Sequence, residues 1–314
     1  MGNQLLQKLT LLKRWSKILS GKTAVAVEQG IGKAFSTEKI AGYYNDLTGK
    51  VSDTTLLDDQ GVPVTVIAGG DHRHFPIAIF QYALGSYDKF LLTKDQKYLT
   101  SFKSCIDWAI AHQREDGSWD AFSPIGSVKY TVSSMAQGEG ASVLLRGYVQ
   151  YGDAKYLDSA RKAIDYMLVP LDKGGVSIHE NGRLYLEEYP QSPRRSVLNG
   201  WIFSLFGLFD LSLIDKSYTN YFQQSVKTLA EELDQYDTGY WSYYDLEHRI
   251  ASPAYHKLHI ALLSVMAQLS DLRIYAEYAA KFEKYQNSSV NKYHAIARKV
   301  IQKLSEKSDA VIVQ

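Results

Sequence analysis

The chain has 314 residues, of which 45% are hydrophobic and 22% charged, and its 35 Lys and Arg against 34 Asp and Glu leave a formal net charge of +1. These values exclude a disordered chain, and they argue against bulk nucleic-acid binding, which needs a basic surplus. The single cysteine, Cys105, excludes an intramolecular disulfide and a multi-cysteine zinc site.

Tyrosine is the unusual component of the composition, since the chain has 23 Tyr but only 11 Phe. A tyrosine ring packs like any aromatic ring, while its hydroxyl group needs a hydrogen-bond partner. Such an excess suits a wet, aromatic-lined groove that handles carbohydrate, and it also suits a merely polar core.

The first predicted element is an amphipathic helix over residues 4–20, which alternates Leu and Ile with Lys and Arg and contains Trp15. Such a helix can rest on an anionic membrane surface or pack on the domain, and packing is the favoured interpretation. No apolar run reaches the roughly 18 residues of a membrane span, and the start lacks a secretory leader. A cytoplasmic location is therefore expected, with peripheral membrane contact left open.

Beyond residue 70 the sequence shows a weak repeat of about 60 residues. Four nearly uncharged, helix-like segments recur, at residues 75–87, 134–148, 197–213 and 254–269. Each is followed by a charged amphipathic stretch, at residues 95–112, 154–168, 218–233 and 271–286. A helix that is apolar all round belongs in the interior, and a one-sided helix belongs outside. The series therefore predicts a mainly α fold, with about four helical hairpins in a ring or partial ring.

A small β-hairpin is predicted over residues 176–189, where apolar residues alternate around Asn181-Gly182. A terminal helix is predicted over residues 290–305. The chain is expected to comprise a mixed N-terminal extension, residues 1–70, and one helical domain, residues 71–314.

Two histidines, His256 and His259, lie three residues apart on one face of a predicted inner helix, near enough to share a ligand. A zinc-protease helix would read His-Glu-x-x-His, and this segment does not. We therefore interpret the pair as pocket or core histidines, and no metal site is predicted.

Five motifs in order carry a resemblance to one family. They are Ser134-Met135-Ala136-Gln137-Gly138, Glu187-Glu188-Tyr189-Pro190 with Val197-Leu198-Asn199-Gly200, Tyr236-Asp237-Thr238-Gly239, Tyr244-Asp245-Leu246 with His248, and Tyr255-His256 with His259-Ile260. Together they resemble the C-terminal domain of the D-glucuronyl C5-epimerases, which convert D-glucuronic acid to L-iduronic acid within heparosan-type polysaccharides. The resemblance spans roughly residues 134–269 and implies an α/α toroid, in agreement with the predicted hairpins.

The resemblance also implies that Tyr189, Tyr244 and Tyr255 carry the acid and base steps. Substrate-binding residues are predicted around them: Glu188, Arg194, Arg195, Asn199, His248, His256, His259 and Gln137. The chain departs from the pattern of this family at Glu247, where the family usually has Arg within a Tyr-Asp-Leu-Arg-His motif. An Arg there would bind a carboxylate or sulfate, so the departure bears more on the choice of polysaccharide than on the type of reaction.

Epimerisation at C5 removes a proton α to a carboxylate and returns one from the opposite face, so it needs two proton-transfer groups. The three tyrosines are predicted to share these roles. A free phenol has a pKa near 10, so a phenolate at pH 7 costs about 4 kcal/mol unless a cation offsets it. The candidate cations are Arg194, Arg195, Lys257, and His248 or His256 when protonated.

No redox cofactor is required, because C5 undergoes no net oxidation, and a divalent cation that holds the fold or the substrate stays open. The expected partner is an acidic polysaccharide and not a nucleic acid, and a homodimer also stays open. Two alternatives remain at this point. A uronate polysaccharide lyase begins with the same proton abstraction and then expels the C4 substituent, whereas a non-catalytic protein would only bind an acidic polysaccharide.

Overall fold

The computed structural model describes residues 29–67, 69–127 and 129–305 of the chain. The predicted helix over residues 4–20 lies outside these ranges. The described helices are α1 (Pro76–Thr93), α2 (Gln96–His112), α3 (Ser134–Tyr151), α4 (Ala154–Met167), α5 (Leu198–Ile214), α6 (Thr219–Glu232), α7 (Pro253–Leu269), α8 (Ile274–Asn287) and α9 (Ser289–Ser305). Two antiparallel strand pairs accompany them, β1 (Thr65–Val66) with β2 (His72–Arg73) and β3 (Ser177–Glu180) with β4 (Arg183–Leu186).

The helices form four hairpins, in which α1, α3, α5 and α7 pack against one another in series and α2, α4, α6 and α8 each pack on the preceding inner helix. The outer helices bury a single stripe, which in α4 includes Tyr156, Ala160 and Ile164. Aspartate side chains cap the first turns of α2 and α4, where Asp95 and Asp153 accept hydrogen bonds from backbone N–H groups. The predicted fold class, a mainly α toroid of inner and outer helices, is confirmed.

The two central inner helices are buried on all sides, over residues 134–147 of α3 and 198–212 of α5. They approach closely where Gly138 faces Gly207. A Cβ atom added to Gly207 would lie 2.3 Å from the carbonyl oxygen of Gly138. Within the described ranges, no helix has both the length and the apolar character that crossing a bilayer requires.

The predicted β-hairpin is confirmed as β3 and β4, with Glu180 paired to Arg183 across the turn. Asn181 and Gly182 both have positive φ, 50° and 75°, as the two-residue turns that match the twist of a hairpin require. β4 buries Leu184 and Leu186, and its end delivers the chain to residues 187–189. The predicted terminal helix is also confirmed, as α9.

The described part of the N-terminal extension shares the core of the ring. Tyr43 and Tyr44 are fully buried and pack against Phe206 of α5, at ring-centroid distances of 5.9 and 4.8 Å. The Tyr44 hydroxyl donates a 2.7 Å hydrogen bond to Asp210. This contact ties the extension to the middle of the ring.

Asp210 also forms a fully buried ion pair with Arg146 of α3, at 2.6 Å between Nη1 and Oδ2. We expect Asp210→Asn to lower the free energy of unfolding by about 3–5 kcal/mol, because it leaves the Arg146 guanidinium buried without its counter-ion. Urea denaturation measures the change. Asp107→Asn is the matched control, because Asp107 pairs with Lys103 at the surface, where such pairs contribute about 0–1 kcal/mol. Equal losses from the two variants would contradict the prediction.

Candidate active site

The three tyrosines singled out in the sequence lie together at one rim of the ring. Tyr189 follows β4, Tyr244 lies in the loop between α6 and α7, and Tyr255 is in the first turn of α7. The rings of Tyr244 and Tyr255 meet edge to face, with centroids 4.8 Å apart. Tyr189 is close enough to Tyr244 for ionisation of one phenol to disfavour ionisation of the other. Tyr255 is 42% exposed, so this member of the cluster is open to a ligand from solvent.

The loop between β4 and α5, which carries Tyr189, pairs with the loop between α6 and α7, which carries Tyr244. The backbone N–H of Leu198 donates to the carbonyl oxygen of Tyr244, and that of Leu246 donates to Arg195. Within the loop between β4 and α5, the buried Glu187 carboxylate accepts hydrogen bonds from the backbone N–H and the hydroxyl of Ser196. The loop geometry is therefore held by hydrogen bonds within the protein.

Tyr255 is positioned by the start of α7. The Ser252 hydroxyl accepts a hydrogen bond from the Tyr255 backbone N–H, and Pro253 occupies the first helical position. Both features are typical of a helix N-terminus. The orientation of Tyr255 thus follows from a local sequence signal.

Tyr189 lies in an aromatic and cationic setting. Its ring stacks on Phe122, with centroids 5.1 Å apart, and contacts Tyr130 at 5.4 Å. The Arg195 guanidinium lies 4.3 Å from the ring centroid, within cation–π range. Sequence reasoning missed Phe122 and Tyr130, which lie in the loop between α2 and α3 and carry no motif.

Glu188 is the carboxylate at the centre of this cluster. Its side chain is 5% exposed, and its Oε2 atom has no hydrogen-bond partner. The carboxylate lies against Gly200 of α5, where an added Cβ atom would be 2.3 Å from Oε2. A side chain at position 200 would displace this carboxylate, which explains the need for glycine there.

Burial raises the pKa of Glu188 to about 7, although a hydrogen bond from Tyr189 and the charge of Arg195 act in the other direction. The charge of Glu188, followed by burial, raises the pKa of Tyr189 well above its ordinary value. Burial and then Glu188 do the same for Tyr244, and they raise the pKa of Tyr255 to about 12. At neutral pH the three phenols are therefore protonated, whereas Glu188 can gain or lose a proton.

A basic group borders the tyrosines. Arg195 and Arg249 both bind the fully buried Asp245, with Nε–Oδ2 distances of 2.9 and 2.7 Å. Arg249 also lies 5.5 Å from the ring centroid of Tyr244. Glu247 is half exposed, and its carboxylate is 3.7 Å from Arg195 and 3.9 Å from Arg249. The residue at the point of departure from the family therefore offsets part of the positive charge beside the tyrosines.

Arg194 and Gln137 make contacts elsewhere. Arg194 forms a two-point ion pair with Glu232 of α6, both contacts at 2.7 Å, and lies over the Tyr185 ring. The fully buried Gln137 side chain accepts from the backbone N–H of Trp119 and donates to two carbonyl oxygens. Both side chains thus hold the scaffold together.

The histidines also differ in their placement. Ser242 Oγ lies 2.8 Å from Nδ1 of His256 and 2.9 Å from Nδ1 of His259, and His256 Nε2 is 3.0 Å from the Phe282 carbonyl oxygen. Burial lowers the pKa of His256 to about 4 and that of His259 to about 3, so both are neutral at pH 7. The exposed His248 packs on Tyr243 with centroids 4.8 Å apart.

Two further polar side chains lie at the inner wall. Asn199, in the first turn of α5, is buried and its Oδ1 atom has no partner. Glu139 of α3 is fully buried, bonded through one oxygen to Gln81 and unpartnered at the other. Burial raises the pKa of Glu139 to about 8, and the charge of Glu188 contributes. Within the described ranges, no group of three or more His, Cys, Asp or Glu side chains is arranged to hold a metal ion.

These features define a protein of helical hairpins with three tyrosines and a buried carboxylate grouped at one rim. A family model described as D-glucuronyl C5-epimerase C-terminus matches residues 127–284, a range that contains Tyr189, Tyr244 and Tyr255. The chain belongs to the D-glucuronyl C5-epimerase family.

Two relatives match part of this chain. A D-glucuronyl C5-epimerase of Caenorhabditis elegans is 31% identical over 261 residues, which is 74% of this chain and 41% of the worm protein. An uncharacterised protein of Methanocaldococcus jannaschii is 30% identical over 158 residues, 48% of this chain and 50% of that protein. The chain thus spans half or less of the length of these relatives.

Among solved structures, the glycoside hydrolase family 76 mannosidase Bt3792 of Bacteroides thetaiotaomicron VPI-5482 is similar with a TM-score of 0.45. The identity is 15%, over 66% of this chain and 57% of that one. A likeness at this level has no bearing on activity.

Proposed function

We propose that the chain inverts C5 of D-glucuronic acid residues to L-iduronic acid within a heparosan-like polysaccharide. The observation that carries the proposal is the meeting of Glu188 with the phenols of Tyr189, Tyr244 and Tyr255, whose charges act on one another. An inversion needs separate groups that remove and return a proton. The cluster supplies both kinds of group at one place that is open to solvent.

The pKa shifts favour a division of roles among these groups. A base works best when its pKa lies near the working pH, and Glu188, with a pKa of about 7, meets this condition. The raised pKa values of the phenols make a phenolate base more costly than in free tyrosine and suit the phenols as proton donors. We assign Glu188 as the base and a tyrosine as the acid.

In the proposed reaction, Glu188 takes the proton from C5, and the electrons of the broken C–H bond move into the uronate carboxylate. The phenol of Tyr255 or Tyr244 then donates a proton to C5 from the opposite face and becomes a phenolate. Proton transfer from Glu188 back to that phenolate, directly or through solvent, restores both groups. No atom is gained or lost, and no oxidant or reductant is consumed.

The negative charge that forms on the substrate needs nearby donors, which act most strongly where water is excluded. Arg195 and Arg249 are the basic groups beside the tyrosine cluster, and Asp245 holds both guanidinium groups in place. We assign to them the binding of the uronate carboxylate.

Incubation of the protein with heparosan in deuterated water tests the proposed function. We expect deuterium at C5 together with iduronate, and no growth of the ultraviolet absorbance of an unsaturated uronate. Growing absorbance would identify a lyase. Saturable binding of heparosan without exchange at C5 would identify a binding protein.

Glu247→Arg should raise the preference for sulfated over unsulfated uronan by about tenfold, equivalent to roughly 1.4 kcal/mol. The substitution removes a carboxylate that lies near Arg195 and Arg249 and adds a positive charge there. The ratio of the two kcat/KM values measures the change. Glu231→Arg is the control, because Glu231 lies on outer helix α6 and pairs with Arg183 of β4. An unchanged ratio would mean that position 247 does not touch the substrate.

A further inference from the structure

The last described helix, α9, exposes a row of large apolar side chains. Four of them are between 63% and 78% exposed: Val290, Tyr293, Ile301 and Leu304. They are the most exposed large hydrophobic side chains among the described residues, where the next, Val149, is 51% exposed. Single exposed apolar side chains are common on protein surfaces, whereas a contiguous group of them marks a contact site.

These side chains share one face of α9. At 3.6 residues per turn they fall within an arc of about 80° around the helix, and the exposed Ala297 lies inside that arc. The half-buried Ile296 and Val300 extend it on one side to about 140°. No charged residue of α9 falls within this wider range, which we call the apolar arc.

The opposite face of α9 packs on the loop between α6 and α7, which carries Tyr244. Ala295 is buried against Trp241 and Ile250 of that loop. The backbone N–H of Ile250 also donates a 3.0 Å hydrogen bond to the side chain of Gln302. The helix is therefore held by one face beside the tyrosine cluster, and the apolar arc lies on the other side of the helix.

The charge of α9 has a single sign. Residues 289–305 contain no Asp or Glu, but they contain Lys292, Arg298, Lys299 and Lys303. At helical spacing Lys292 and Lys303 lie beyond one edge of the apolar arc, and Arg298 lies beyond the other. An apolar face with basic side chains along its edges is typical of a helix that lies in the interface of an anionic membrane. The long basic side chains can then reach the headgroups while the apolar side chains lie deeper.

Two other partners fit this surface less well. A second copy that paired its α9 with this one would bring like charges together, which is costly. An acidic polysaccharide would bind the basic side chains but would leave Val290, Ile301 and Leu304 in water. An anionic lipid surface satisfies both the charge and the apolar arc.

We propose that α9 lies in the interface of a membrane that contains anionic phospholipid. The apolar arc enters the boundary between headgroups and acyl chains, and Lys292, Arg298 and Lys303 contact the headgroups. The loop that carries Tyr244 then lies about one helix diameter, about 10 Å, from the lipid surface. This contact is independent of the reaction proposed above.

Co-sedimentation of the full chain with lipid vesicles tests the proposal. Vesicles of phosphatidylcholine with about one quarter phosphatidylserine should bind the protein at least about tenfold more tightly than vesicles of phosphatidylcholine alone. Ile301→Ser combined with Leu304→Ser should weaken that binding at least about tenfold, because the arc loses two of its large apolar side chains. Leu92→Ser combined with Val149→Ser is the matched control, since both residues are exposed on other helices, α1 and α3. The control should bind as the unaltered protein does.

A charge variant tests the proposal independently of the apolar side chains. Arg298→Gln should weaken binding to the phosphatidylserine vesicles about fivefold, whereas Lys227→Gln, at an exposed position on α6, should not.

Three results would overturn the proposal. Vesicle binding that is absent, or that is the same in the Ile301 and Leu304 double variant, would exclude α9 as the membrane contact. Self-association of the protein in place of vesicle binding, abolished by the double variant, would assign the apolar arc to a second copy. Heparosan binding in place of vesicle binding, abolished by the double variant, would assign the arc to the polysaccharide.

Discussion

Replacing Tyr255 with phenylalanine should slow deuterium incorporation at C5 by at least about 100-fold, because the variant keeps the ring but has no proton to donate. The packing of the ring on Tyr244 is retained, so the fold should be unaffected. Exchange into heparosan in deuterated water, measured by mass spectrometry, gives the rate.

Tyr293→Phe is the matched control, since Tyr293 is 73% exposed on α9. This variant should incorporate deuterium at C5 as fast as the unaltered protein does. Tyr244→Phe distinguishes the two candidate acids, because the tyrosine that donates the proton should show the larger loss. Unaltered exchange in the Tyr255→Phe variant would remove Tyr255 from the mechanism.

Glu188→Gln should abolish most of the activity, by about 10²- to 10⁴-fold, because glutamine keeps the shape of the side chain but cannot accept a proton from C5. In the unaltered enzyme, activity should fall as the pH is lowered through about 7, where the carboxylate becomes protonated. This acidic limb of the pH profile should be absent from the residual activity of the variant. A retained limb would assign it to another group.

The free energy of unfolding of Glu188→Gln distinguishes a loss of activity through the missing carboxylate from a loss through misfolding. The pKa of Glu188 is about 7 in the folded protein against an ordinary value of 4.5. The raised pKa therefore contributes to the free energy of unfolding. This contribution is complete below pH 4.5 and is lost as the pH rises through 7. Glu188→Gln stays neutral and should be at least as stable as the unaltered protein at pH 8. Glu231→Gln, at an exposed position, is the activity control.

The hairpins could be predicted from the sequence because each inner helix has few charged residues and each outer helix has one buried stripe. The β-turn at Asn181-Gly182 was also predictable, because few residues other than Asn and Gly adopt positive φ at both positions. In both cases the signal lies in a short stretch of sequence, and the tertiary contacts do not override it.

The division of labour between adjacent residues could not be predicted. Arg194 and Arg195 are neighbours, yet the first binds Glu232 of α6 and the second binds Asp245 beside the tyrosines. Which arginine faces which way depends on the pairing of two loops about 50 residues apart. Arg249 was missed for the same reason, although it directly follows the motif that contains Tyr244.

The electrostatics of the site could not be predicted from the sequence either. The resemblance indicates three tyrosines, and the basic residues near the motifs suggest a cation that could hold one of them as a phenolate. The structure instead places a buried carboxylate among them, and this carboxylate raises the pKa of each phenol. The carboxylate lies against Gly200 of α5, a contact that the sequence pattern does not reveal.

The serine between the two buried histidines fixes the tautomer of each ring. The Phe282 carbonyl oxygen can only accept, so Nε2 of His256 carries hydrogen and its Nδ1 accepts from Ser242. The Ser242 oxygen must then accept from Nδ1 of His259, which leaves Nε2 of His259 as a lone-pair acceptor. A proton added at Nε2 of His259 would create a buried charge without a hydrogen-bond partner, and burial lowers the pKa of both rings, so below pH 6.5 the unfolded protein takes up protons at these sites more readily than the folded one. Acid should therefore loosen the junction of α7 with α8 before it protonates either ring in the folded state.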